Sequence, residues 1–92
     1  MNPVRYSDHA RVRMQQRGIR PEVVETLLEL GETEHDHHGG TIYYLSKAVI
    51  NRVKSRSLRR TLEEGRKVYA VVTQDRAVVT VGHRTRRIRR ER

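Results

Sequence analysis

Histidine and arginine sit together at two places in this chain. Near the start, His9, Arg13 and Arg17 recur every four residues, which puts them on one stripe of a helix. Near the end, Arg84 follows His83, and Arg86 and Arg87 come just after. These residue types suit phosphodiester chemistry. Cleaving RNA without a metal needs a base for the 2′-hydroxyl, an acid for the leaving oxygen and cations on the phosphate. Histidine serves both proton roles near neutral pH. The planar fork of arginine donates two bonds to a phosphate at once. His9 and His83 are therefore the candidate catalytic pair, with Arg13, Arg17, Arg84, Arg86 and Arg87 as candidate nucleic-acid contacts. Tyr43 and Tyr44 alternate across a strand, so one is free to stack on a base while the other enters the core. Tyr43 is taken as the stacking ring. The plainer readings stand beside these. The arginines can simply snorkel over a small core, His9 can cap its helix or bond to a sheet, and His83-Arg84 can merely end a strand.

The run His35-Asp36-His37-His38 holds three imidazoles and a carboxylate, a donor set zinc accepts. Four ligands in a row beside a glycine turn read better as a polar loop, so no metal site is expected. The chain has no cysteine, which removes thiol chemistry, disulfides and cysteine-ligated zinc together. There is no phosphate-cradling glycine loop, nucleophile elbow or paired-carboxylate motif, and no cofactor is expected.

The first stripe needs a short helix, and the sequence supplies one. Ser7 is a good cap, Asp8 suits the positive helix end, and Gly18 closes the element. The helix spans about Asp8 to Arg17, with Ala10 and Met14 on its core face. Pro21 opens a second helix to Leu30, poorly capped by Arg20, with Val23, Val24, Leu27 and Leu28 at helical spacing. Glu32 to His38 reads as a polar edge strand and Thr41 to Leu45 as a β-rich one, hinged at Gly39-Gly40. Ser46 caps a third helix that runs to Gly65. Its apolar period breaks between Val53 and Leu58, which predicts a kink or two shorter helices near Ser55–Ser57. Lys67–Thr73 and Ala77–His83 form a closing hairpin. Both of its strands are rich in β-formers, so the two faces of the sheet both need cover, from a dimer or a folded-back third helix. The fold expected is α+β: two N-terminal helices on a small twisted antiparallel sheet of three to four strands, with a further helix inserted between strands.

At 92 residues the chain makes one domain, 1–92, with residues 84–92 expected as a mobile basic tail. Without Phe or Trp, the core must come from Val, Leu, Ile, Ala and Tyr. No apolar run approaches ~18 residues and no apolar leader opens the chain, so a cytoplasmic protein with no membrane segment is expected. The net charge of +9 is unevenly laid out. Residues 21–45 hold Glu22, Glu25, Glu29, Glu32, Glu34 and Asp36 and no Lys or Arg, while the flanking segments are all basic. Such a field favours a polyanion on the basic side, RNA ahead of DNA. The acidic segment suits contact with the chain's own basic tail or with the basic side of a second copy in a homodimer, and an acidic antitoxin-like partner is a further expectation.

Ser7-Asp8-His9-Ala10, Arg13-Met14 and Arg17-Gly18-Ile19, with the Val24/Leu27/Leu28 helix and the closing VVT…VVTVGHR hairpin, resemble the domain-of-unknown-function family 4258. The resemblance covers about residues 6–45 and 67–88, leaving 46–66 as an insertion or variant. The helix-helix-sheet order is in turn similar to RelE/ParE-like bacterial toxins, whose small basic members often cleave messenger RNA or act on DNA gyrase. That analogy implies a toxin-like endoribonuclease but carries over no residue; the metal-independent His/Arg site is what the residues themselves offer. The alternative is a non-catalytic RNA- or DNA-binding or protein-interaction module, using the third helix and Arg84–Arg92.

Overall fold

The computed structural model describes residues 4–84. A two-residue strand, β1 (Arg5–Tyr6), leads into helix α1 (Asp8–Arg17) through Ser7. The Ser7 hydroxyl accepts from the Ala10 amide at 3.0 Å, which caps the helix. At the other end Gly18 takes φ 66°, a left-handed turn that costs glycine nothing, and its amide reaches the carbonyls of Met14 and Gln15. Helix α2 (Pro21–Leu30) follows with no side-chain cap at Arg20 and proline at its start. Gly31 ends it where a Cβ would overlap the Leu27 carbonyl oxygen and stand 2.8 Å from that of Tyr44. Only glycine lets the chain pass so close.

Strands β2 (Glu32–His35) and β3 (Thr41–Tyr44) form the acidic hairpin, and β4 (Val68–Val72) and β5 (Ala77–His83) the closing one. Between β3 and β4 lie α3 (Lys47–Arg52) and α4 (Arg56–Glu64), capped by Ser46 and Ser55. The period break thus becomes two helices with a cap between them. The five strands run in the order β1-β5-β4-β3-β2. All neighbours are antiparallel except β1, which pairs parallel with β5 through Arg5–Ala77 and Tyr6–Val78. The sheet is therefore one strand larger than expected, and mixed. The extra strand is the lead-in to α1, too short to carry a strand pattern of its own.

Val79 has no partner on β4, because Val71 pairs with Thr80 and Val72 with Val78. This bulge matters to α1. Successive carbonyls of a regular strand point to opposite edges, but here Val78 and Val79 both serve Ser7. The Ser7 amide donates to the Val78 carbonyl at 2.9 Å, and its hydroxyl donates to that of Val79 at 3.0 Å.

The register sorts side chains by face. Tyr6, Val78, Val81, His83, Val68, Ala70, Val72, Thr41 and Tyr43 lie on the helix side; Glu32, Glu34, Ile42, Tyr44, Tyr69, Val71, Thr80 and Gly82 lie on the other. On the helix side Ala10, Met14, Ile19, Val23, Val24 and Leu27 pack with Leu45, Ile50, Leu62, Val68, Ala70, Val78 and Val81. Leu62 and Ile50 belong to this same core, so the inserted helices reinforce the covered face and do not fold back over the far one. The α2–α4 junction is pinned by Arg20, whose fork donates to both oxygens of Glu64 at 2.7 and 2.8 Å and to Glu22 at 2.7 Å. The hydrogen bond from Arg20, and then its charge, hold the Glu64 carboxyl below the usual carboxylate range. Among the described residues no helix is long and apolar enough to cross a membrane.

Tyr6 packs its ring on this core with its hydroxyl buried and without a hydrogen-bond partner among the described residues. Burial first, then the charges of Glu25 and Glu22, raise its pKa above 10.0. A group raised in the fold contributes its stability below the unfolded pKa and loses it as pH climbs above. Tyr6→Phe is therefore expected to unfold at the same urea concentration at neutral pH or a higher one, by up to about 1 kcal/mol. It should also lose part of the wild-type decline above pH 10. Urea melts at the two pH values check both.

Candidate nucleic-acid interface

The stripe on α1 forms as its spacing implies. His9 and Arg17 are exposed and Arg13 is half-buried at the border of the core. None of the three side chains makes a hydrogen bond or ion pair among the described residues. His83 is also exposed, at the last position of β5, opposite Val68 on the helix side. The register holds the backbones of the two histidines apart. Ser7 ties the start of α1 to Val78 and Val79, whereas His83 lies four residues further along, about 13 Å down the strand. Among the described residues no hydrogen bond or ion pair joins the candidate catalytic pair.

Arg84 is tied into the fold. One nitrogen of its guanidinium donates to the carbonyls of Leu45 at 2.9 Å and Arg66 at 3.0 Å, and the group lies 5.4 Å from the Tyr44 ring centre. Its own amide donates to the Lys67 carbonyl at 2.6 Å. Arg84 therefore clamps the end of β3, the approach to β4 and the exit of β5. Tyr44 under it is only 5% exposed. Tyr43, half-buried on the opposite face, keeps access to a cavity and remains the ring available to a ligand. Arg86 and Arg87 lie outside the described residues, as does all of the expected mobile tail 84–92 but Arg84.

The histidine run is organised as a turn. The Asp36 amide donates to the Gly40 carbonyl at 3.0 Å, and the Asp36 carboxylate accepts from the His38 amide at 2.6 Å. Among the described residues no three His, Asp or Glu side chains come together as a metal site.

Two further features bear on the site, the first of them on the third helix of the alternative reading. The first is a dense cationic segment across α3 and α4: Arg52, Lys54, Arg56, Arg59 and Arg60, all exposed and none in an ion pair among the described residues. Its signal is the absence of any acid between residues 46 and 62. The second is the β4–β5 turn, where Arg76 takes φ 65°. A three-residue connection in a hairpin commonly needs one left-handed position, and this one contains no glycine or asparagine to fill it.

A family model described as domain of unknown function (DUF4258) matches residues 6–83, most of the chain, and the protein belongs to that family. The matched span runs through residues 46–66, the stretch expected as an insertion or variant. No curated protein and no solved structure matches the chain.

Replacing Arg84 by Ala leaves two carbonyls without their charged donor and bares the face of Tyr44. The expected loss is about 1–3 kcal/mol in urea unfolding. Arg84→Lys should recover only part of it, because a rotating ammonium lacks the planar fork.

Proposed function

We propose that this protein is a small nucleic-acid-binding module, with RNA ahead of DNA. The observation that carries the reading is the α3–α4 segment, where five exposed cations within residues 52–60 have no acidic partner among the described residues. A structural role would pair them; surface cations left unpaired at such density suit a phosphate backbone. Arg13 and Arg17 add cations on α1, and the sequence beyond Arg84 adds Arg86 and Arg87. The acids of α2 oppose a polyanion on their own side, so the contact runs along α3–α4. A toxin-like ribonuclease acting through His9 and His83 is the second reading. It draws on element order and on the two free imidazoles, and it requires those groups to approach across the length of β5.

Affinity for a single-stranded RNA should fall with salt on a straight log–log plot. The triple variant Arg56→Gln/Arg59→Gln/Arg60→Gln should flatten that slope by roughly 0.7 for each phosphate it no longer neutralises. An unchanged slope excludes α4. Incubating the same RNA with protein in chelator should leave it intact; cleavage that disappears in His9→Ala/His83→Ala would favour the ribonuclease instead.

A further inference from the structure

Between the end of α2 and the β4–β5 turn lies a cavity of 230 Å³. Leu28, Val4 and Val72 give it apolar walls, and Tyr43 gives it an aromatic one. Thr41, Thr73, Gln74 and Arg76 place hydroxyl, amide and guanidinium groups around these. The volume is below the roughly 300–1,000 Å³ of a site for a drug-sized ligand, so a single ring system fits and an extended cofactor does not.

Its charge is as specific as its shape. Arg76 is the one ionised group in the lining. The neighbouring Asp75 does not cancel it: the Thr73 hydroxyl bonds to that carboxylate, and Arg5 donates to it at 3.1 Å and to the Asp75 carbonyl at 2.6 Å. The Thr73 hydroxyl, the turn's own backbone and Arg5 together hold the Asp75 carboxyl below the usual range. Arg76 itself has no side-chain partner among the described residues. It also sits at the one left-handed non-glycine position described, where an L-residue costs on the order of 1–2 kcal/mol. A strained arginine with a free fork beside an aromatic-walled hole is better explained by a ligand than by the turn, which glycine would serve at lower cost.

We infer that this cavity takes one unstacked nucleobase of a single strand, against the Tyr43 ring, with the adjoining phosphate on Arg76. This rests on the nucleic-acid reading above and gives it a substrate class, since a duplex keeps its bases stacked and out of reach. Thr41 and Gln74 offer groups of the kind that pair with base edges, and stacking on tyrosine tolerates any base. No carboxylate is among the lining residues, so neither a neutral ring nor a phosphate on Arg76 meets a like charge there.

The test uses the full chain, a short RNA carrying one 2-aminopurine, and the same sequence as a duplex. Anisotropy reads total binding, and 2-aminopurine fluorescence reads the environment of the base. Wild type should prefer the single strand and change the base's emission. Arg76→Gly should melt at the same temperature or higher, through relief of strain. It should nonetheless bind the single strand about tenfold or more weakly, with duplex binding unchanged. Tyr43→Leu should likewise lose the emission change. Single-strand binding and emission that stay at wild-type levels in both variants overturn the pocket while leaving the α3–α4 reading standing. A lower melting temperature in Arg76→Gly, marking a structural role, also overturns it. No binding of either nucleic acid by wild type overturns both readings.

Discussion

The fold depends on one serine. Ser7 caps α1 through its hydroxyl and spends its amide and that same hydroxyl proton on two successive carbonyls of β5. A regular strand does not offer two neighbouring carbonyls on one edge; the bulge at Val79 does. The helix start and the sheet defect are thus complementary, and neither is satisfied alone. Because Ser7 fixes where α1 begins, it also fixes which way Ala10 and Met14 enter the core and where the His9–Arg13–Arg17 stripe emerges.

Charge is sorted by element. The acids gather on α2, on the β2 edge and in the turn after it; the cations gather on α1, α3, α4 and beyond β5. Ion pairs form at Arg5 with Asp75 and at Arg20 with Glu22 and Glu64; the second contact is exposed and joins α2 to the acidic end of α4. Exposed pairs of this kind contribute little to stability. Their use is orientation: they settle the junction that leaves the basic side of α4 turned to solvent.

Much of the local structure is legible from residues alone. Ser7 and Gly18 bracket α1, Pro21 opens α2, and the five-residue gap between Val53 and Leu58 foretells the break that Ser55 caps. These are short-range signals, each carried by a residue with an unusual backbone or hydrogen-bonding habit. What escapes is decided at long range. Arg5 and Tyr6 become a strand only because β5 lies beside them, and two residues show no periodicity. The α1 stripe is readable, but its distance from His83 follows from the parallel pairing of β1 and β5, which no local pattern announces. Arg84 reads from the sequence as a ligand-binding cation; its hold on the Leu45 and Arg66 carbonyls over Tyr44 depends on contacts 39 and 18 residues away, which no local pattern announces.

The pairing of β1 with β5 has a consequence for how the chain is made. Its partners stand about as far apart in sequence as the domain permits, so closing that loop costs more entropy than any hairpin here. A ribosome releases α1 first, yet the docking carbonyls of Val78 and Val79 are among the last of the fold to emerge. Within this fold α1 must wait, with Ala10 and Met14 unsheltered, until the closing strand arrives to receive it.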